Sequence, residues 1–589
     1  MAHLRSERTV ASFLLVFVLA LIAACSTDER ARQAKTSGDP TKRPSRLEYD
    51  VFIEAGQEPE VRIRAALSAE VLADDQTIRF AFARGKTFVK LDEPLIEGPI
   101  TARTGQQNRA VNRLSAFTFE VDTQGRQSVV LEYWIPIRHR TLPRVVEAND
   151  QYEFPYLAFD HGMLTSWTLF AKPQDFEPQT LDVRFHPPEG WAVIAPWPSS
   201  GPGRFAPSSL EELIGDVIAL GAWSCHRLDV GDFEGTIAFA PGQAELERSA
   251  AEPIREIVTS ELELFGRPAE GQYLFLFGRP DASGAGGSPK NRSMTLTIDP
   301  QLAGRGFGFL GHLIAHEFHH TWNASLYHCR DELRWFNEGF TDYYAYLVIA
   351  RLGQTSWEAF AGTLADQMSV CSENPLFGKI SLLEAGGEVF FRDRDAYRLI
   401  YSGGLLVAAW LDQSIRSRGE GYSLDDFMRA FNNDPRWGRG VPSPTVADFF
   451  DELGSFVSAE TVLEARMLVS EPFCIDPIEL FDRVGVEVDI ESGIPELSLR
   501  ANLDGTRVVD IDPDGLAARI GILAGDRFVE VNDKPVSSQR DVRLAWRRPV
   551  AGAIRLKIER DSHDLWIDEP IPKVIRYSLD AAPWQEHDH

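Results

Sequence analysis

Cysteine is scarce in this 589-residue chain. There are five in all and no C-x-x-C pair, so a metal or redox site of that kind has no support. Basic charge is also short: 60 Lys and Arg face 87 Asp and Glu, for a net charge of -27. Nucleic acid or an anionic bilayer surface would repel such a body, so no nucleic-acid partner is expected and attachment to a membrane should be by lipid and not by a basic patch. The uncharged stretch 9–24 has the length of a signal peptide and is too short for a full bilayer crossing. A phosphate loop is missing too, because Gly284-Ala285-Gly286-Gly287-Ser288-Pro289 is not followed by Gly-Lys-Ser/Thr.

What the chain does hold is a metal-binding pattern. His316-Glu317-Phe318-His319-His320 is followed by Trp335-Phe336-Asn337-Glu338-Gly339. On a helix, His316 and His320 lie one turn apart on one face and can chelate a single ion. Glu317 then points beside that ion, where it can act as the base that takes a proton from water. Glu338 completes a set of two imidazoles and one carboxylate, which suits Zn2+ and leaves a fourth position open. Phe309, Leu310, Leu313, Ile314 and Phe318 recur at helical spacing and predict the helix these ligands need. A second helix over 331–349, with Leu333, Phe336, Phe340 and Leu347 facing inward, gives Glu338 a rigid support. One turn after Glu338, Asp342 can accept the free ring N–H of a ligating histidine, in the first instance His316. Using His319 with His316 would leave Glu317 and His320 without roles, and His312 and His328 read as surface or loop residues.

The chain is too long for one core, and a multidomain α+β architecture follows. Residues 1–24 read as a lipoprotein signal peptide, because Ile22-Ala23-Ala24-Cys25 resembles the lipobox in which the cysteine is acylated. Ser26 fits sorting to the periplasmic face of a bacterial outer membrane, and 25–46 is a flexible tether. An oxidising compartment permits disulfides, but Cys225, Cys329, Cys371 and Cys474 leave three pairings open. Residues 47–205 alternate in short stretches such as Tyr49-Asp50-Val51-Phe52-Ile53 and predict a β-sandwich-like domain. Residues 206–475 form a mainly helical zinc peptidase domain, with an amphipathic segment over 210–223. Its alternating strand Met294-Thr295-Leu296-Thr297-Ile298 can receive substrate by edge addition, and the glycines before it can let a peptide backbone approach closely. A helix starting near Tyr401 puts that phenol at its end, as an oxyanion donor or a plain core residue, with Tyr397 as competitor. Residues 484–560 read as a small β-rich module able to take an extended peptide, and 561–589 as a C-terminal tail ending in His587 and His589.

His316-Glu317-Phe318-His319-His320-Thr321-Trp322-Asn323, Asn337-Glu338-Gly339-Phe340-Thr341-Asp342-Tyr343-Tyr344, Tyr401-Ser402-Gly403-Gly404 and the stretch 515–533 together resemble the glycyl aminopeptidase family with a C-terminal PDZ domain, a branch of the gluzincin metallopeptidases. The resemblance implies zinc ligands at His316, His320 and Glu338, a base at Glu317 and an oxyanion-stabilising phenol at Tyr401. It also implies a thermolysin-like catalytic domain between a β-sandwich and a PDZ domain, and a preference for N-terminal glycine or alanine. In that family Gly-Gly-Leu-Glu-His usually holds the substrate ammonium, whereas this chain has Gly286-Gly287-Ser288-Pro289-Lys290. Pro289 offers no side-chain acceptor and Lys290 has the wrong sign. A second departure is Gly403, where the family usually has lysine. The expected function is zinc-dependent aminopeptidase action on a peptide or protein, with endopeptidase or blocked-peptide hydrolysis at the same centre, or a retired peptide-binding envelope protein, as rivals. The oligomeric state is left open.

Overall fold

In the N-terminal region every second residue turns inward, and the alternation produces layered sheets because side chains on a strand point to opposite faces. The computed structural model describes residues 45–585 apart from 70–75, 87–88, 138–153, 175–176, 267–271, 279–284, 299–306, 324–329, 438–442, 496–498, 500, 512–514, 551 and 572. The signal segment, Cys25, the tether, Gly284, His328, Cys329, His587 and His589 lie outside the described residues. Arg46–Glu54 pairs antiparallel with Glu60–Ser68 and parallel with Thr180–His186 within an eight-stranded sheet. Its inward residues Leu47, Tyr49, Val51, Ile63 and Tyr133 pack with Ile78, Phe80, Phe119 and Val121 of a four-stranded sheet.

A further four-stranded sheet carries Val217–Gly221 beside His161–Thr165 and Ala192–Ile194. This differs from the amphipathic helix expected over 210–223, since only Leu210–Leu213 is helical. The Asp216 carboxylate accepts Arg292 N–H and Ser293 O–H, so the chain turns there. The apolar run after it is buried on both faces, which suits a strand. Met163, Val217 and Ala219 then meet Leu274 and Leu276 of the next sheet.

That next sheet runs in the order Ser224–Val230, Phe233–Phe239, Gln272–Gly278, Ser293–Ile298, Ala285–Pro289. The helix Ala244–Phe265 makes the crossover between its parallel strands Phe233–Phe239 and Gln272–Gly278. Ser293–Ile298 was expected at the edge but is interior, parallel to Gln272–Gly278 and antiparallel to Ala285–Pro289. Among the described residues, the edge on that side of the sheet is the glycine-rich segment itself. A tight turn causes the exchange: Lys290 N–H donates to Ser293 O at 2.8 Å and folds the glycines back along the strand that follows them.

Met294, Leu296 and Ile298 face a large helical core that also holds Leu310, Ile314, Phe318, Trp335, Phe336 and Phe340. The helix carrying Tyr401 spans Arg394–Arg416, so it begins well before the expected start. Asp393 caps it by accepting Asp395 and Ala396 N–H, and Ala396, Leu399 and Ile400 extend the buried face upstream. Tyr401 therefore sits within the helix and not at its end. No helix among the described residues is long and apolar enough to cross a membrane.

The C-terminal module has its own core, with Val508, Phe528, Val531, Trp546 and Leu556, under strands ordered Ala501–Asp504, Arg507–Ile511, Arg527–Val531, Ala553–Arg560, His563–Pro570. Its helices are Leu516–Arg519 and Gln539–Trp546. The chain enters through Val488–Pro495 and leaves through Lys573–Leu579, and these two strands pair with each other. Most of the segment expected as a tail is thus ordered. Trp584 is buried in the helical core, where its indole N–H donates to the Tyr343 hydroxyl at 3.0 Å.

Candidate metal centre

Two helical segments supply the polar cluster. Phe307–Asn323 carries His312, His316, Glu317, His319 and His320. The opposing segment is not the single regular helix expected over 331–349. Asp331–Leu333 is a 3-10 turn, Trp335–Phe340 a π-helical turn and Thr341–Arg351 an α-helix. Widened π turns leave backbone groups in need of other partners and recur at functional sites. Here Asn323, the last residue of the motif helix, supplies them, donating to Phe336 O, Asn337 O and Thr341 Oγ1 at 3.1, 3.2 and 3.1 Å.

Glycine lets this segment approach the Tyr401 helix. A Cβ on Gly339 would stand 2.3 Å from the Gly404 carbonyl carbon, and one on Gly404 would stand 2.2 Å from Trp335 O. The two backbones touch, which brings Glu338 and Tyr401 together.

His316 Nε2 and His320 Nε2 lie 3.1 Å apart, and Glu338 Oε2 lies 3.7 and 3.6 Å from them. A tetrahedral ion with ligand bonds of about 2.0–2.1 Å holds its donors roughly 3.3 Å apart, a spacing these three values bracket. All three residues are buried, and Glu338 Oε2 has no hydrogen-bond partner among the described residues. A buried, unpartnered carboxylate oxygen facing two ring nitrogens is costly unless a cation sits among them, so the donor set fits one Zn2+.

The electrostatics agree. Burial pushes the Glu338 carboxyl up, but the facing imidazoles of His316 and His320 outweigh it and hold the carboxyl well below its usual range. Burial also opposes a proton on His316, yet Asp342 and Glu338 raise its affinity well above normal. A site that draws a proton this strongly also attracts a divalent cation. Asp342 Oδ1 lies 2.8 Å from His316 Nδ1, the contact expected from the sequence. Burial raises the Asp342 carboxyl, and hydrogen bonds from His312 and His316 reverse the shift.

Glu317 is 5% exposed, and its Oε2 is unpartnered among the described residues. Burial pushes its carboxyl up. It faces the edge strand so closely that a Cβ on Gly287 would stand 2.6 Å from Glu317 Cγ. Strand alternation puts Pro289 on the same face as Gly287, since their ladder partners Met294 and Leu296 both point into the helical core. The Tyr401 ring stacks on His316 with centroids 6.1 Å apart, and Tyr397 adjoins it at 4.6 Å. Burial raises the Tyr401 phenol well above its ordinary value, with Glu338 adding to the effect, so it stays protonated and able to donate.

His319 takes no place in this cluster. It is fully buried between Tyr344 and Phe265, with Nδ1 3.7 Å from Glu261 Oε2. His312, read from the sequence as a surface or loop residue, instead reaches Asp342 Oδ1 from Nε2 at 3.1 Å. Its spacing of one turn before His316 was the available signal. Asn323, quoted from the sequence only as part of the family motif, braces the π turn, and Gly287, expected to admit a substrate backbone, lies against Glu317. Cys225, Cys371 and Cys474 are free thiols.

Residues 310–398 match the M61 glycyl aminopeptidase family, and residues 507–560 match the PDZ domain. No curated protein matches the sequence. Among solved structures, an aminopeptidase N family protein from Idiomarina loihiensis is 15% identical, with a TM-score of 0.70 over 92% of this chain and 100% of that chain. At that identity the likeness shows the fold. An M1 zinc metallopeptidase from Deinococcus radiodurans is 14% identical, with a TM-score of 0.48 over 73% of this chain and 94% of that one, too distant to carry an argument.

Proposed function

We propose that this zinc metallopeptidase, an M61 domain and a PDZ domain in one chain, acts as an aminopeptidase on peptides with small N-terminal residues, glycine or alanine. The observation that carries the reading is the convergence of His316, His320 and Glu338 beside Glu317 and a glycine edge strand. His316, His320 and Glu338 hold the metal. Zinc in that position supplies the positive charge that acidifies water and polarises a carbonyl. Glu317 takes the proton of the attacking water on its carboxylate and returns it to the leaving amine. Tyr401 donates its O–H to the oxyanion as the carbonyl becomes tetrahedral. Asp342 keeps a proton on His316 Nδ1, so Nε2 is the atom presented to the metal. The strand Ala285–Pro289 aligns the substrate backbone, its glycines admitting close approach.

One observation favours the rival endopeptidase or blocked-peptide reading: on the Glu317 face of the edge strand, Pro289 has no side-chain acceptor for an ammonium group. Matched glycyl and alanyl peptides with free and acetylated N-termini separate the two. Preference for the free amine supports the aminopeptidase, and indifference supports the rival. For the centre itself, Glu317→Gln is expected to retain zinc and lose turnover by several orders of magnitude. Unchanged turnover in the zinc-loaded variant refutes the assignment.

The remaining readings are also proposals. An extended peptide binds the PDZ domain, and lipid on Cys25 anchors the chain at the periplasmic face of an outer membrane.

A further inference from the structure

Two rungs join the motif helix to the helix after the π turn. His312 and His316 stand one turn apart on the first, and Asp342 and Tyr346 one turn apart on the second. Asp342 Oδ1 faces both imidazoles, His316 Nδ1 at 2.8 Å and His312 Nε2 at 3.1 Å. A carboxylate has no proton to give, so both rings donate to it. That leaves His316 with its Nε2 lone pair toward His320 and Glu338. The His312 ring is held flat against Tyr346, with centroids 3.9 Å apart and planes inclined at 18°.

We infer that His312 is a positioning residue for the metal centre: by donating Nε2–H to Asp342 Oδ1 it fixes the carboxylate that orients His316. The inference rests on the metal reading of His316, His320 and Glu338. Two observations carry it. First, His320 Nδ1 has no hydrogen-bond partner among the described residues, so orientation of the imidazole pair from outside depends on His316 and the carboxylate behind it. Second, a lone carboxylate with one partner can swing about its terminal bond, whereas one oxygen gripped from two sides along a single helix face cannot. Distances of 2.8 and 3.1 Å are those of hydrogen bonds from the two rings to one carboxylate oxygen. His312 therefore supports the metal site from behind, through Asp342.

The test separates the donor from the ring. His312→Phe keeps the stacking on Tyr346 and removes the N–H, while His312→Gln keeps an N–H of similar reach and removes the ring. Zinc affinity of the full chain is measured by chelator competition, with zinc stoichiometry and the thermal midpoint of each zinc-free form. Loss of a partner behind a metal ligand weakens metal affinity about 10- to 100-fold. His312→Phe, one bond further out, is expected near the lower end, with about tenfold weaker zinc binding and an unchanged zinc-free midpoint. His312→Gln is expected within about threefold of wild type. In an Asp342→Asn background, His312→Phe is expected to add nothing, because the two act as one unit. Equal zinc affinity of His312→Phe and wild type overturns the inference. So does a His312→Gln protein as weak as His312→Phe, or full additivity with Asp342→Asn. A second bound zinc that disappears in His312→Phe overturns it as well, by making His312 a ligand. If wild type itself binds no zinc, the underlying metal reading fails instead. If His312→Phe does not fold, His312→Leu, which also lacks the N–H, takes its place, and wild-type zinc affinity in that variant overturns the inference.

Discussion

Gly287→Ala adds a single methyl group directly against the proposed base. On the present backbone the new Cβ would stand 2.6 Å from Glu317 Cγ, 2.7 Å from Oε1 and 2.8 Å from Cδ. Carbon atoms in ordinary contact are about 3.5–4.0 Å apart, so strand and side chain must separate by roughly 1 Å. Glu317 has little room to give, being 5% exposed in the helical core region. The edge strand is held on one side, by its ladder with Ser293–Ile298, and absorbs only part of the displacement. A misplacement of about 1 Å costs about 10²-fold in rate, equivalent to about 2.7 kcal/mol of activation free energy. Because the three nearest atoms all belong to Glu317 and none to His316, His320 or Glu338, zinc content is expected to stay at wild type. The assay is kcat/KM on whichever of the free or acetylated glycyl peptides the wild type cleaves, with zinc measured on the same preparation. A fully zinc-loaded Gly287→Ala enzyme within about threefold of wild type would refute the claim that the edge strand fixes the position of Glu317.

Tyr401→Phe is expected to lower kcat by about 10²–10³-fold with zinc retained, since one oxyanion donor is lost; an unchanged kcat removes Tyr401 from the chemistry. Gly404→Ala drives a methyl group into Trp335 O and is expected to destabilise the catalytic region by about 1–3 kcal/mol and to weaken zinc binding, measured by denaturant titration and metal analysis. Trp584→Ala empties a buried site and leaves the Tyr343 hydroxyl without its indole donor, so a loss of about 3–5 kcal/mol is expected. A stability change under about 1 kcal/mol would mean that the C-terminal helix does not hold the catalytic core.

The metal pattern was legible because it is local. His316, Glu317 and His320 need only a helix to share a face, and Asp342 falls one turn from Glu338 whatever surrounds it. The PDZ module was legible for the same reason, its strands and helices closing within one short stretch with a core of their own. The edge strand was not, because strand order depends on which neighbour the Ser293–Ile298 segment finds, and glycines carry no pattern that distinguishes a loop from a strand. The strand Val217–Gly221 was hidden likewise, since a short apolar run reads equally as helix until its two buried faces are known.

By itself, then, the sequence picked out the candidate ligands, the proposed base, the carboxylate behind His316 and the order of the modules, because these follow from residue type and local spacing. Tertiary structure alone decided the rest. Contact between Gly339 and Gly404 set the Tyr401 helix against the π turn, the ladder made the glycines an edge beside Glu317, and His312 became a partner of Asp342. Each of these is a meeting of segments far apart in the chain, and no periodicity within either segment specifies it.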